Sequence, residues 1–228
     1  SFYQDACHGH AIVYADEISN RKTRPYITYP QGNFASPVFH GERPDPMPHY
    51  EMTGNPVSIA FSEQSPPVKM RSFKLYQDTK EIKDIKILDK DNDPNRLLTD
   101  RQFALFPLQP LEYDTDYLAV FEYRQNGKNR TTEWTFSTQK PDYPYFIVKG
   151  GETLAIESGQ KYFIHWQDFW CLKQCERYNY RMNRDTQLDI IERQAGGIII
   201  RVNGSKGSSI RLMPEGEDRR AITLYLWK

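Results

Sequence analysis

Asn55-Pro56-Val57-Ser58-Ile59-Ala60-Phe61-Ser62 is the stretch that decides the fold class of this chain. Its large apolar residues, Val57, Ile59 and Phe61, recur at every second position and are separated by serine or alanine. Alternate positions of an extended chain point to opposite faces, so this period of two predicts a half-buried β-strand. Such a strand needs a second layer to cover its apolar side. Further strands are therefore expected on either side of it.

More strand signals follow at spacings of about 8 to 15 residues. Residues 68–76 continue the alternation, with a slip of register near Ser72, and Asn126-Gly127 is a strong hairpin signal. The remaining candidates are residues 82–88, 103–106, 117–123 and 131–138, the last with Trp134 and Phe136 on one face. Short strands punctuated by turns, without a helical period, are typical of a β-sandwich, which we predict over residues 56–140.

The stretch Lys140-Pro141-Asp142-Tyr143-Pro144 is predicted to separate two domains, because proline-rich polar stretches are typical of interdomain connections. Beyond it, further strand candidates are separated by turn signals such as Gly150-Gly151 and Asn203-Gly204. We therefore predict a second, small β domain over residues 141–228. Residues 169–184 stay unassigned, since a loop, an irregular strand and a short helix all fit them.

Residues 25–55 are rich in proline, with four prolines between positions 37 and 48. Proline removes a backbone N–H donor and restricts the residue before it, so a helix is excluded there. An extended arm that lies along the next domain is predicted instead. Residues 1–24 form a separate N-terminal segment, in which residues 11–15 are a strand candidate.

The charge balance bears on the class of partner. Thirty lysines and arginines are matched by thirty aspartates and glutamates, so the formal net charge is zero. Binding to nucleic acid relies on a strongly positive field, and we expect no nucleic-acid partner. No stretch approaches the roughly 18 apolar residues of a membrane span, and none is predicted.

Several short motifs occur in the order found in one known family. They are Tyr29-Pro30, residues 37–46, residues 55–62, residues 103–111 and Thr115-Asp116-Tyr117. In this order they resemble the Ig-like region of secreted bacterial CAP-superfamily proteins, the cysteine-rich secretory, antigen 5 and pathogenesis-related group. The resemblance covers about residues 12–138 and, more weakly, 144–228.

This resemblance implies an all-β fold: an Ig-like β-sandwich over residues 56–140, followed by a second small β domain. It also implies an exported location, in the periplasm, at the cell surface or outside the cell. Residues 1–24 would then include the last strand of a preceding CAP domain. That domain, with its His and Glu cavity residues, is lacking, so no catalytic residue is carried over.

An acidic loop follows the third strand candidate. Asp89, Asp91, Asp93, Asn95 and Asp100 place oxygen atoms at positions 1, 3, 5, 7 and 12, as in a calcium-binding EF-hand loop. A proline stands where that loop needs glycine, and the flanks are predicted to be strands rather than helices. The alternative is an Asx-rich turn, in which the side chains accept hydrogen bonds from their own backbone.

The chain has three cysteines, Cys7, Cys171 and Cys175. Cys171 and Cys175 are spaced for a local disulfide, with two buried thiols as the plainer alternative. Together with His8 and His10, the three thiols would also offer ligands for zinc. The two groups of ligands lie in different predicted domains, which counts against that site.

One aromatic cluster falls at the start of the unassigned stretch. Its members are Trp166, Phe169, Trp170, Tyr178 and Tyr180, together with Arg177. If exposed, these side chains form a platform for sugar rings, in a mixture that is enriched at interaction hot spots. If buried, they belong to the core, as most large aromatic side chains do.

The residues point away from an enzyme. Neither a Gly-x-Ser-x-Gly elbow nor a phosphate-binding loop occurs, and neighbours such as Cys7 and His8 rarely adopt nucleophile–base geometry. We expect a non-catalytic accessory module that positions or docks an exported CAP-family protein at the cell envelope. The alternative is a glycan- or peptidoglycan-binding module that uses the aromatic cluster. The expected partner is a protein or a cell-wall or host glycan, and no cofactor is expected apart from the candidate calcium.

Overall fold

The computed structural model describes residues 25–40, 42–167, 169–170, 177–182, 185–194 and 196–228. The chain divides into two compact units, Ser1–Lys140 and Pro141–Lys228. The described part of each unit is built from β-strands, so the all-β prediction is confirmed. Within the described ranges, no helix has the length and apolar character needed to cross a membrane.

The described part of the first unit contains two facing sheets. Its strands are β1 (Tyr26–Tyr29), β2 (Gly32–Ala35), β3 (Val38–Phe39), β4 (Thr53–Gly54), β5 (Val57–Phe61), β6 (Lys69–Gln77), β7 (Lys80–Glu81), β8 (Ile85–Leu88), β9 (Gln102–Pro107), β10 (Asp116–Gln125) and β11 (Lys128–Thr138). One sheet has the order β1-β5-β9-β8 and the other β2-β11-β10-β6-β7. The first order corresponds to the A-B-E-D sheet of an immunoglobulin-like sandwich. In the second, β11-β10-β6 corresponds to the G-F-C sheet, and β2 and β7 are additional strands at its two edges.

The strand predicted within residues 55–62 forms as β5. In β5, Val57, Ile59 and Phe61 face the core and alternate with half-buried residues. The slip near Ser72 is a break in the β6–β10 ladder, where Glu122 lies opposite Ser72 and the next residue lies opposite Met70. This break keeps the apolar residues on the buried side, because a shift of one residue reverses the face of every later side chain.

The hairpin between β10 and β11 also forms as predicted. Asn126 and Gly127 both have positive φ, 51° and 75°, which is the geometry of a type I′ turn. Near the start of β10, the Tyr117 hydroxyl accepts a hydrogen bond of 2.9 Å from the backbone N–H of Glu112. A tyrosine that bonds back to the chain at this place is the tyrosine corner of immunoglobulin-like domains. Burial raises the pKa of the Tyr117 hydroxyl.

Phe121 is the centre of the first core. Its side chain is completely buried, and its ring centroid lies 5.1 Å from those of Phe73 and Phe103 and 6.1 Å from that of Phe61. These three rings come from β6, β9 and β5, so one side chain of β10 joins both sheets. Offset and edge-to-face contacts between rings add to the stabilisation from burial.

The proline-rich segment 25–55 is part of the sandwich, which differs from the predicted start at residue 56. Strand β1 pairs with β5, and β2 runs parallel to β11. The prolines flank these strands, where a missing N–H costs no ladder hydrogen bond. Further along, Phe39 and Met47 are buried against the outer side of the β1-β5-β9-β8 sheet, in a cluster with Leu88, Leu98, Ala104 and Phe106.

The acidic loop is held by its own backbone. The Asp89 carboxylate accepts hydrogen bonds from the N–H groups of Asp91 and Asn92. Asp93 is only 5% exposed, and one of its carboxylate oxygens accepts from Leu97 at 2.7 Å and Leu98 at 3.0 Å. Asp93 therefore fixes the turn that places Leu98 in the apolar cluster with Phe39 and Met47.

The described part of the second unit is a second sandwich. Its strands are β12 (Tyr145–Val148), β13 (Thr153–Ile156), β14 (Lys161–Trp166), β15 (Tyr178–Met182), β16 (Thr186–Gln194), β17 (Gly197–Gly204), β18 (Ser209–Pro214) and β19 (Ile222–Leu226), with a short 3-10 turn at Asp218–Arg220. The sheets have the orders β12-β14-β17-β16 and β13-β19-β18-β15. This repeats the order of the first unit with two differences: β12 runs parallel to β14, and no strand of the described part corresponds to β7.

The chain reverses between β12 and β13 at a glycine pair. Gly150 has a φ of 129°, and a Cβ atom there would lie 2.2 Å from the carbonyl oxygen of Arg219, so only glycine fits. The Glu152 carboxylate accepts hydrogen bonds of 2.8 Å from the N–H groups of Lys149 and Gly150. Desolvation opposes ionisation, but these bonds and the Lys149 charge outweigh it and lower the pKa of Glu152.

Trp134 and Phe136 allow a matched test of the first core. Both face inwards on β11, but Phe136 is fully buried, whereas Trp134 lies at the margin and its buried Nε1–H has no hydrogen-bond partner among the described residues. We expect Phe136→Ala to lower the free energy of unfolding by about 3 to 5 kcal/mol. Trp134→Ala should cost about 2 kcal/mol, because its removal also relieves the unpaired donor. Urea unfolding measures both, and equal losses would contradict this placement.

Asp93→Ala tests the acidic loop. The variant leaves buried N–H groups without an acceptor, so we expect a loss of about 2 to 4 kcal/mol in unfolding free energy. The control is Asp91→Ala, whose side chain is 78% exposed and whose loss should change stability by less than about 0.5 kcal/mol. We expect calcium to leave the melting temperature of the unmodified chain unchanged. A rise that Asp91→Ala abolishes would instead establish a calcium site.

Candidate functional site

The aromatic cluster lies around β14 and β15 of the second unit. Trp166 ends β14 and is completely buried. Its indole Nε1–H donates a hydrogen bond of 2.8 Å to the carbonyl oxygen of Arg220, and its ring lies 5.6 Å from that of Tyr178. Tyr162 and Ile164 precede it at alternate positions and share its core. The indole is therefore a core group and offers no face to a sugar ring.

Tyr178 and Tyr180 lie two residues apart on β15, and they differ in exposure. Tyr178 is 8% exposed, whereas Tyr180 is 45% exposed. Burial raises the pKa of the Tyr178 hydroxyl to about 12, against a smaller lowering by the positive charge of Arg193. Arg177, just before β15, is exposed. Of these three residues, only Tyr180 and Arg177 are exposed to a partner.

Trp170 covers the opposite side of β14. Its ring lies 4.8 Å from that of His165, and a Cβ atom on Gly196 would lie 2.6 Å from the same indole. His165 is completely buried, and its Nδ1 lies 2.8 Å from the carbonyl oxygen of Gly196. Neighbouring residues of a strand point to opposite faces. Trp170, packed on His165, thus lies on the other side of the sheet from Trp166.

Phe169 is half-buried, and the Arg220 guanidinium lies 5.0 Å above its ring. The structure therefore divides the aromatic cluster among three environments. Trp166 and Tyr178 belong to the core, Phe169 and Trp170 are half-buried packing groups, and Tyr180 and Arg177 are exposed. This arrangement does not form one continuous aromatic platform.

The candidate calcium ligands serve the turn. Asp89 and Asp93 accept backbone hydrogen bonds, Asn95 donates to the carbonyl oxygen of Asp45 at 2.8 Å, and Asp100 pairs with the Arg101 guanidinium at 2.7 Å. Asp91 contacts Lys90 in solvent. In the described part of the chain, no group of three or more His, Cys, Asp or Glu side chains is arranged to hold a metal ion.

The cysteine predictions lie outside the described residues. This applies to the Cys171–Cys175 disulfide and to the zinc ligands that involve Cys7, His8 and His10.

One charged feature was missed by sequence analysis. Arg181 of β15 lies directly opposite Arg211 of β18. Both side chains are exposed and point away from the core, on the outer face of the β13-β19-β18-β15 sheet. The sequence signal was weak, because the two arginines are 30 positions apart and only the strand register brings them together. We call this surface the arginine face; its outward residues are Thr153, Ala155, Asn179, Arg181, Ser209, Arg211, Met213, Thr223 and Tyr225.

No protein-family model matches the chain, and no curated protein matches it. Solved structures give distant matches. A chimeric titin Z1Z2-Z1Z2 tandem functionalised with a peptide from fibronectin is 10% identical over 76% of this chain and 90% of its own, with a TM-score of 0.22. Domains 4 and 5 of the S-layer protein SbsC are 13% identical over 70% of this chain and 100% of their own, with a TM-score of 0.24. Rst D1-D2 is 6% identical over 89% of this chain and 100% of its own, with a TM-score of 0.28. The Ig-like description of this chain rests on its own strand order.

Proposed function

We propose that this chain is a non-catalytic accessory module of an exported bacterial protein, and that it docks that protein at the cell envelope. Two Ig-like sandwiches, each with its own apolar core, supply rigid scaffolds with broad outer faces. The resemblance to the region that follows a CAP domain supports both the exported location and a CAP-family host.

The observation that carries this proposal is the burial of Trp166. A module that stacks sugars on the aromatic cluster needs its flat rings in solvent. Here the indole is enclosed and its Nε1–H is bonded to Arg220, and Tyr178 packs on it. Trp166 and Tyr178 thus stabilise the sandwich, which favours a scaffold role over the aromatic glycan platform.

The roles of the carboxylates support the same proposal. Asp89, Asp93 and Glu152 each accept hydrogen bonds from backbone N–H groups in tight turns. A general acid or base is expected to face a cleft with a pKa shifted towards neutrality. The Glu152 pKa is lowered instead, which stabilises its charged form in the turn. These groups act in folding rather than in proton transfer.

Co-sedimentation tests the docking role. The purified chain is mixed with envelope fragments of the bacterium that encodes it, and the bound fraction is measured against concentration. We expect saturable binding by the folded chain. A chain that stays in the supernatant at every concentration would refute docking at the envelope.

Tyr178 and Tyr180 separate the scaffold role from the aromatic platform. Tyr180→Ala should leave the melting temperature unchanged, because this side chain is 45% exposed. It should also leave envelope binding unchanged, because the scaffold role does not use the aromatic cluster. Tyr178→Ala should lower the free energy of unfolding by about 3 kcal/mol, since it removes a buried aromatic group. If Tyr180→Ala or Trp170→Ala abolishes binding without changing the melting temperature, the aromatic cluster is the binding site and the scaffold interpretation fails.

A further inference from the structure

The arginine face contains a row of polar side chains that crosses all four strands of its sheet. Arg181 lies opposite Arg211, Arg211 lies opposite Thr223, and Thr223 lies beside Thr153. Side chains directly opposite one another on adjacent strands have Cβ atoms about 5 Å apart. The row therefore presents two guanidinium groups and two hydroxyl groups along one line.

The two arginines lack charge compensation in the described structure. Neither guanidinium pairs with a carboxylate among the described residues, and the four strands contain no aspartate or glutamate. Like charges directly opposite each other on a sheet are destabilising. On the other sheet, by contrast, the positive charge of Arg201 is neutralised, because its guanidinium donates a hydrogen bond of 3.0 Å to the Asp189 carboxylate. An unneutralised pair of arginines on an exposed face is suited to an anionic ligand.

The rest of the arginine face is also rich in hydrogen-bond donors. Around this row of polar side chains, amide and hydroxyl groups are added by Asn179, Ser209 and Tyr225. Tyr225 is 40% exposed, whereas Met213 is 8% exposed. The core of a protein–protein interface is usually apolar and built on several large side chains. Within its four strands this face has one exposed aromatic ring, that of Tyr225, among polar groups, which favours a polar polymer over a protein surface.

We infer that the arginine face binds a polysaccharide that carries carboxylate groups. Arg181 and Arg211 would each hold a carboxylate through two parallel N–H···O bonds, and the hydroxyl and amide groups would bond sugar hydroxyls. Tyr225 supplies a flat surface for one sugar ring. This inference rests on the proposed docking role, since it names the class of envelope partner. It uses a surface distinct from the buried members of the aromatic cluster.

Binding to polygalacturonate tests the inference. The full chain is titrated at about 50 mM salt, where screening of exposed charges is modest, with neutral dextran as the control polymer. Arg181→Gln and Arg211→Gln should each weaken binding by about tenfold. Arg211→Lys keeps the charge but loses the planar fork, and should fall between Arg211→Gln and the unmodified chain. Arg130→Gln makes the same charge change at an exposed position of the first unit and should leave binding unchanged.

Stability provides a second readout. Because Arg181 and Arg211 repel each other, either Gln variant should melt at the same temperature as the unmodified chain or slightly higher. A marked fall in melting temperature would show that the arginines are structural and would overturn the inference. Equal binding to dextran, no binding to polygalacturonate, or an equal loss in Arg130→Gln would also overturn it.

The outcomes separate this inference from the docking role. If the chain sediments with envelopes but the Arg181→Gln and Arg211→Gln variants do so equally well, docking stands and the arginine face is excluded. If polygalacturonate binding depends on both arginines but the chain does not sediment with envelope fragments, the arginine face is a binding site and the docking role fails.

Discussion

The contact of Phe121 with three rings from both sheets is the constraint on which the first sandwich depends. Strands β5, β6 and β9 each direct a phenylalanine at this residue, so the register of every strand must bring its ring to the same depth. The break opposite Ser72 and the turn at Asn126-Gly127 follow from that demand. Loss of either the break or the turn would shift the strand register and turn apolar side chains towards water. In the second unit, Trp166 has a comparable place, since its indole ties β14 both to β15 and to the backbone at Arg220.

The fold could be predicted from the sequence because apolar residues at every second position directly indicate which face of a strand is buried. Val57, Ile59 and Phe61 needed no partner strand to be recognised, and the hairpin at Asn126-Gly127 depends on two residues alone. The arm over residues 25–55 was harder. Its strands are short and flanked by prolines, so local patterning favoured an extended connection. Their membership of the two sheets is decided by pairing with β5 and β11, which are distant in sequence.

The candidate site shows where composition stops being informative. Trp166, Trp170 and Tyr180 are close in sequence and similar in chemistry, yet they occupy a core, an outer surface of one sheet and solvent, respectively. Alternation along β14 separates the two tryptophans, because His165 and Trp166 point to opposite sides. Exposure of an aromatic residue is set by what the facing layer covers. That information lies in the packing of β15, which the sequence left unassigned.

The same alternation explains why a function of this protein should be sought on outward positions. Inward positions are committed to the core, and turn carboxylates such as Asp93 are committed to the backbone. Outward positions that are also exposed carry neither duty, so an unfavourable arrangement there has no structural compensation within the sheet. Arg181 and Arg211 are such an arrangement: a single substitution on β15 or β18 would remove their repulsion without disturbing the core. Their presence in one acid-free row is therefore better explained by a ligand outside the fold than by any need of the fold itself.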